Sequence, residues 1–190
     1  MTDAQFVASV RKLLADYDRK LIGFVGDSHL AVPDWSVLLG VDADNRAVSG
    51  ARLSEILHQV DLLGDVRLCF VMGGKNDIDA GRTAAQVAAD QLAVCAKLKA
   101  RGIKPVLMTM FYVASSYPNG AFINGVVNPV ANHTYQPSLD AGYVWLNVVD
   151  SVCDGNVLLP QHTSDGCHLN ASGRAKILHP MRSVLVWSST

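Results

Sequence analysis

The chain has 190 residues, of which 49% are hydrophobic and 17% are charged, against about 25% charged residues in typical globular domains. This length and composition predict one domain over residues 1–190 with a sizeable core, and they exclude a disordered chain. The formal net charge is -1, from 16 Lys and Arg against 17 Asp and Glu. Because no basic face is present, the sequence does not favour a nucleic-acid partner.

Apolar runs and cysteines indicate the compartment. The longest apolar runs, such as Cys69 to Met72, fall far short of the ~20 residues that span a bilayer, so we expect neither a transmembrane helix nor a membrane partner. The N-terminal sequence lacks the basic and the continuous apolar regions of a signal peptide, so by default we expect a cytoplasmic location. Reduced thiols are expected, although the spacing leaves open a disulfide between Cys153 and Cys167. The oligomeric state cannot be predicted.

Hydrophobic periodicity predicts alternating helices and strands. The predicted elements are an amphipathic helix over about 3–19 packed on the domain, a strand over 21–25, a short strand over 46–48, a helix over about 53–60, a strand over 66–72, a helix over 83–101, strands over 103–111 and 143–149, and a helix over 171–187 kinked at Pro180. Five strands separated by helices predict a three-layer α/β/α sandwich with a mostly parallel sheet. Residues 112–140 are expected to form a long loop with at most one helical segment.

Four polar clusters lie where strands of this sheet are predicted to end or where the last helix begins. They are Gly26-Asp27-Ser28-His29, Ser49-Gly50, Gly73-Gly74-Lys75-Asn76-Asp77 and the segment from Ser164 to Asn170. Ligands of open parallel sheets bind at the carboxyl ends of the strands. We therefore expect these clusters to form one site.

The same clusters resemble the sequence blocks of the SGNH hydrolases, also called the GDSL esterase/lipase family. Gly26-Asp27-Ser28 is similar to the first block, Gly50 to the second, Gly74-x-Asn76-Asp77 to the third and Asp165-x-x-His168 to the fifth, in the order of the family. The resemblance spans about Leu21 to the C-terminus. It implies a flavodoxin-like fold, catalysis without a cofactor, and an ester substrate that is a small molecule or a glycan.

The residue types fit nucleophilic catalysis. A serine hydroxyl reacts only when a base removes its proton, and His168 is the candidate base for Ser28. Asp165 is expected to orient the imidazole and to stabilise its charged form. The resemblance implies an oxyanion hole made of the backbone N–H groups of Ser28 and Gly50 and the side-chain amide of Asn76.

Three neighbouring residues are assigned supporting positions. Asp27 is expected to support the turn of the nucleophile, and Asp77 the loop of Asn76. His29 stands where the motif of the family has leucine, and we expect it to border the entrance to the site. Asp27-x-His29 also resembles the opening of binuclear metallophosphoesterases, but their other metal-binding motifs are absent from the sequence, so we predict no metal.

These observations predict a serine esterase that works through an acyl-enzyme. Because no large apolar lid segment is evident, a short acyl group such as acetyl is favoured, which a carbohydrate could carry. Two alternatives stay open at this point. One is a non-enzymatic SGNH-like module that binds glycans or serves a structural role, and the other is a metal-dependent phosphoesterase.

Overall fold

A computed structural model describes residues 20–187 of the chain. The predicted helix over about 3–19 lies outside the described residues, and the single-domain organisation over 1–190 stays a prediction. The strands of the central sheet are β1 (Lys20–Gly26), β2 (Ala43–Asn45), β3 (Val66–Met72), β4 (Lys104–Met108) and β5 (Val144–Leu146). They are ordered β2-β1-β3-β4-β5, and every pairing is parallel. The predicted fold class is therefore confirmed.

Helices cover both faces of this sheet. They are α1 (Ser28–Ala31), α2 (Trp35–Leu39), α3 (Leu53–Leu62), α4 (Lys75–Asp79), α5 (Ala84–Ala100), α6 (Gly120–Asp140) and α7 (Ala171–Trp187). A short hairpin, β6 (Cys153–Asp154) and β7 (Val157–Leu158), lies between 3₁₀ turns at Val149–Ser151 and Pro160–His162. No helix within residues 20–187 combines the length and the apolar character needed to cross a bilayer.

Two hydrophobic cores fill the space between the layers. Ile56 of α3, Val94 of α5 and Val127 of α6 belong to the core on one face of the sheet. Trp35 of α2 and Ile177 of α7 belong to the core on the other face. Strand β3 contributes to both cores, which explains why its sequence is nearly continuous in apolar residues. Its bounds agree with those predicted from that run.

The prediction of the second strand was wrong in position. We expected it over 46–48, but β2 is formed by Ala43–Asn45, in which Asp44 and Asn45 are polar. Asp44 is buried there because its carboxylate accepts the N–H of Gly64 at 2.7 Å and pairs with Arg46 at 2.7 Å. Residues 46–48 follow β2 and still contact β1, because the N–H of Val48 donates to the carbonyl of Gly26 at 3.0 Å. The polar composition of β2 hid it from hydrophobic periodicity.

The segment after β4 also departs from expectation. We expected mostly loop over 112–140, but residues 120–140 form the 21-residue helix α6. Pro129 and Pro137 lie inside this helix. Because proline disfavours the interior of a helix, the local sequence did not predict one here. Its buried face carries Ile123, Val127 and Val130 at helical spacing. Packing on the sheet therefore outweighs the weak local propensity. Helix α7, by contrast, has the predicted bounds of 171–187, with Pro180 inside it, and the kink at Pro180 stays a prediction.

All four cysteines carry free thiols. The disulfide between Cys153 and Cys167 that the spacing left open is therefore not formed. Burial raises the pKa of the Cys167 thiol to about 11, so it is protonated at neutral pH.

Candidate active site

The hydroxyl, imidazole and carboxyl groups predicted to act together lie in one hydrogen-bonded row. Oγ of Ser28 is 2.8 Å from Nε2 of His168. Nδ1 of His168 is 2.6 Å from Oδ2 of Asp165. Ser28 is the first residue of α1, directly after β1, and His168 is 140 residues further along the chain. A row of this kind can move the proton of a hydroxyl to an imidazole whose charged form faces a carboxylate.

A tight turn holds Asp165 in its orientation. Oδ1 of Asp165 accepts the backbone N–H of Cys167 at 2.9 Å and that of His168 at 2.7 Å. Burial alone would raise the pKa of this carboxyl, but the hydrogen bond from His168 and the two backbone N–H groups hold the pKa well below its usual range. Asp165 is therefore an anion at any pH near neutral.

The same turn is fastened to the segment that follows β4. Gly166 adopts a φ of +83°, a left-handed conformation that favours glycine. Its carbonyl accepts the N–H of Ala114 at 2.7 Å, and its own N–H donates to Oγ1 of Thr163 at 2.9 Å. These bonds position Asp165 and His168 relative to the sheet.

Ser28 opens onto a cavity of about 520 Å³, which Gly50 and Asn76 also line. Gly50 has a φ of +81°, with no atom within 4 Å of the place where a Cβ would be. Glycine is therefore favoured at this position because of the left-handed backbone conformation, and not because a side chain would clash with a neighbour. Nδ2 of Asn76 donates one N–H to the carbonyl of Ala51 at 2.9 Å, which orients the amide. Its second N–H can then donate to a ligand. Within residues 20–187, the backbone N–H groups of Ser28 and Gly50 have no acceptor.

The two aspartates expected to support the site are both buried. Oδ1 of Asp27 accepts the N–H of His29 at 3.0 Å and so caps α1. Oδ2 of Asp77 accepts the N–H of Leu53, the first residue of α3, at 3.0 Å. Burial raises the pKa of Asp77 in spite of this bond. Asp77 thus ties the helix that carries Asn76 to the helix that begins after Gly50.

His29 lines the cavity beside the candidate base. Its ring centroid lies 5.3 Å from that of His168 and 5.2 Å from that of Phe111. Burial lowers the pKa of His29 and outweighs the nearby charge of Asp27, which acts in the opposite direction. The imidazole of His29 is therefore neutral at neutral pH. In the part of the chain that the structure describes, no three His, Cys, Asp or Glu side chains converge in a way that could hold a metal ion.

Sequence reasoning missed two buried glutamines that hold the strand ends. Gln59 of α3 accepts the N–H of Gly26 through Oε1 at 2.8 Å and donates through Nε2 to the Gly26 carbonyl at 3.1 Å. Gln91 of α5 donates to the carbonyl of Gly73 at 2.7 Å. Gly26 precedes the turn of Ser28, and Gly73 precedes the turn of Asn76. The sequence feature that could have indicated them is the position of each glutamine on the apolar face of its helix.

Two cationic side chains also line the cavity, and neither was singled out from the sequence. Nζ of Lys75 donates to Asp79 at 2.8 Å and to the hydroxyl of Tyr117 at 2.9 Å. Burial lowers the pKa of Lys75, but these two hydrogen bonds outweigh it, and the net pKa lies above the usual range. Arg174 donates to the carbonyl of Leu169 at 2.8 Å. Both cationic side chains therefore add polar groups to the lining of the cavity.

Comparison with known proteins identifies the family. Residues 24–176 match the sequence model of the GDSL-like lipase/acylhydrolase family. The chain belongs to this family. The matched range contains each of the four clusters described above, and the resemblance seen in the sequence is confirmed. No curated protein matches the chain.

Solved structures show the same fold at low sequence identity. A GDSL-like lipase from Bacteroides thetaiotaomicron aligns with a TM-score of 0.73 and 18% identity, over 98% of each chain. A carbohydrate acetylesterase from Sinorhizobium meliloti aligns with a TM-score of 0.70 and 13% identity, over 89% of this chain and 99% of that one. A variant of an acetyl-xylooligosaccharide esterase from Geobacillus aligns with a TM-score of 0.67 and 12% identity, over 85% and 92% of the two chains.

Proposed function

We propose that this GDSL-family hydrolase is a serine esterase that forms an acyl-enzyme on Ser28. The observation that carries the proposal is the row of contacts from Ser28 to His168 at 2.8 Å and from His168 to Asp165 at 2.6 Å. All three residues line a cavity large enough for a substrate. Nucleophile, base and orienting carboxylate are thus within reach before any substrate binds.

The first half of the reaction acylates Ser28. Nε2 of His168 takes the hydroxyl proton while Oγ of Ser28 attacks the ester carbonyl. The carbonyl oxygen becomes an oxyanion, which accepts hydrogen bonds from the N–H groups of Ser28 and Gly50 and from the amide of Asn76. When the tetrahedral intermediate collapses, the C–O bond to the alcohol breaks and His168 gives its proton to the departing alkoxide.

The second half releases the acid. Water enters the cavity and gives a proton to His168 as its oxygen attacks the acyl carbon. Collapse of the second intermediate breaks the bond to Oγ, the proton returns to Ser28, and a carboxylic acid leaves. Asp165 stays an anion throughout, because its low pKa keeps it from taking the proton of His168.

For the substrate, we propose a short acyl ester, such as an acetyl group, on a carbohydrate. The cavity wall offers the polar groups of Ser49, Lys75 and Arg174 to a leaving group. Lys75 and Arg174 already donate within the protein, and a hydroxylated leaving group can pair with their remaining N–H groups and with Ser49. A long alkyl chain offers these groups no hydrogen-bond partner. Two of the structures that share the fold are described as a carbohydrate acetylesterase and an acetyl-xylooligosaccharide esterase, which supports this choice.

Hydrolysis of p-nitrophenyl esters of increasing chain length tests the proposal. We expect the highest kcat/KM on the acetate, a lower value on the butyrate and a much lower value on the octanoate. Ser28→Ala should lower kcat by about 10⁴-fold or more. Ser54→Ala is the matched control, because Ser54 is an exposed serine outside the cavity, and it should keep the wild-type rate. EDTA should leave the rate unchanged.

Each part of the proposal can fail separately. If wild type hydrolyses no ester, the enzymatic assignment is wrong. If Ser28→Ala keeps the wild-type rate, another group is the nucleophile. A preference for octanoate would contradict only the short acyl group, which acetylated xylo-oligosaccharides would test further.

A further inference from the structure

A second cavity opens at the carboxyl ends of β4 and β5, and its volume is about 340 Å³. Among the described residues it shares no lining side chain with the cavity of Ser28. We call it the amide pocket, because its lining includes the side chains of Asn128, Asn132, Asn147 and Asn156, together with the carboxylate of Asp150. Four of the nine asparagines of the chain lie here. The mechanism proposed above uses none of them.

Hydrogen bonds fix the orientation of several of these groups. The Tyr112 hydroxyl donates to Oδ1 of Asn128 at 2.5 Å, and Nδ2 of Asn128 donates to Oδ1 of Asn156 at 3.2 Å. Nδ2 of Asn147 donates to Oδ2 of Asp150 at 2.8 Å. Side chains held in this way are already positioned for a ligand.

Other polar atoms of the same pocket are left open. Within residues 20–187, the amide of Asn132, Oδ1 of Asp150 and the amide N–H groups of Asn156 have no hydrogen-bond partner. The amide pocket therefore presents both donors and acceptors to whatever enters it. The pocket has no Lys or Arg among the described residues that line it.

An aromatic wall stands beside the open polar groups. Asn128, Asn132 and Tyr135 are four and three residues apart on α6, which places them on one face of the helix. Tyr135 is 47% exposed, and its ring meets the Trp145 ring edge-on, with centroids 5.0 Å apart. Nε1 of Trp145 donates to Oγ1 of Thr134 at 3.3 Å, which fixes the indole.

We propose that the amide pocket binds a sugar ring of a glycan, at a site separate from Ser28. A sugar carries neighbouring hydroxyl groups that both donate and accept, and it also has an apolar C–H face. Planar amides and a carboxylate can pair with the hydroxyl groups, and an aromatic side chain can cover the C–H face. This identification rests on the proposed function, in which the ester is carried by a carbohydrate.

Other ligand classes fit the amide pocket less well. A phosphate or carboxylate would meet Asp150 without a cation to balance the charge. An alkyl chain would bury unpaired amides at a cost of about 1–3 kcal/mol each. In the sheet, the ends of β1 and β4 are separated by two strand spacings, or roughly 10 Å. A glycan of a few residues can span that distance, so one chain could occupy both cavities.

Titration calorimetry with unacetylated xylohexaose, cellohexaose and chitohexaose tests the site. We expect wild type and Ser28→Ala to bind at least one of these hexasaccharides. Asn132→Ala and Tyr135→Ala should each weaken that binding tenfold or more. The matched control is His133→Ala, because His133 is exposed on the same helix and does not line the amide pocket. It should bind as wild type does.

A kinetic comparison tests the same site in turnover. In Asn132→Ala and Tyr135→Ala, the ratio of kcat/KM on an acetylated hexasaccharide to kcat/KM on p-nitrophenyl acetate should fall tenfold or more, through KM. Both side chains are exposed, so the variants should keep the circular dichroism spectrum of wild type.

The outcomes separate this inference from the proposed function. If p-nitrophenyl acetate is hydrolysed but no hexasaccharide binds, the amide pocket is not a sugar site and the esterase assignment stands. Binding that Asn132→Ala and Tyr135→Ala leave intact, or that His133→Ala weakens equally, also overturns the inference. If the hexasaccharide binds with the expected pattern but no ester is hydrolysed, the sugar site stands and the esterase assignment fails.

Discussion

Replacing Gln59 by methionine tests whether a side chain of α3 holds the end of β1 in place. Methionine has about the same length as glutamine but offers neither a donor nor a comparable acceptor. The buried N–H of Gly26 would lose its bond to Oε1, at a cost of about 1–3 kcal/mol. The Gly26 carbonyl would lose the bond from Nε2 but keep that from Val48, at a cost of about 0.5–1.5 kcal/mol.

Together these terms predict a loss of roughly 1.5–4.5 kcal/mol in the free energy of unfolding. For a chain of this length the Tm should fall by roughly 3–18 °C. Because Ser28 lies two residues after Gly26, kcat should also fall, by roughly 10- to 100-fold. Circular dichroism melting and p-nitrophenyl acetate hydrolysis measure the two effects.

A surface glutamine provides the comparison. Gln136 is exposed on α6 and donates to Asp140 at 2.8 Å, so Gln136→Met should change stability by about 0.5 kcal/mol or less. If Gln59→Met melts within about 1 °C of wild type, the two hydrogen bonds do not stabilise the strand end and the reasoning is refuted. A normal Tm with a reduced kcat would refute only the energetic part.

Three further substitutions address the site itself. His168→Ala should lower kcat by about 10⁴-fold with the fold intact by circular dichroism, and wild-type turnover would mean that another base operates. Asn76→Ala should lower kcat by about 10²- to 10³-fold with little change in KM, and an effect on KM alone would exclude an oxyanion role. Burial lowers the pKa of His29, so below its ordinary value of 6.5 the unfolded chain binds a proton that the folded chain does not, and stability falls as the pH falls. His29→Leu should reduce this loss when melting is compared at a neutral and a mildly acidic pH, and an equal loss in both proteins would contradict it.

Much of the sheet was predictable because its central strands are covered on both faces. The run from Val66 to Met72 is apolar for that reason, and β3 has the predicted bounds. Strand β2 could not be found in this way, because its central residue, Asp44, is polar and its buried carboxylate accepts a hydrogen bond from Gly64, which is 20 residues away in the sequence. Hydrophobic periodicity cannot detect a polar strand that is satisfied by contacts elsewhere in the chain.

The candidate site was predictable in its residue types and in the order of its clusters. Ser28, Asp165 and His168 could be named because each follows a strand or precedes a helix in a recognisable pattern. The structure adds that they lie within hydrogen-bonding distance, a fact that depends on the packing of segments 140 residues apart. Gln59 could not be assigned, because its partner is a backbone group 33 residues away.

The surroundings of His29 were harder to foresee. The sequence placed this residue at the entrance, and the structure does place it in the lining of the cavity. Its contact with the His168 ring, and the burial that lowers its pKa, follow from the positions of α1 and Phe111 in the fold. No local pattern carries that information.

Labelling with a fluorophosphonate, followed by peptide mass spectrometry, tests the central claim most directly. This reagent phosphonylates a serine only when a base raises the nucleophilicity of its hydroxyl. We predict that a single adduct forms on the peptide containing Ser28 and that His168→Ala abolishes it. No adduct on wild-type protein, or an adduct on Ser28 that persists in His168→Ala, would contradict the account.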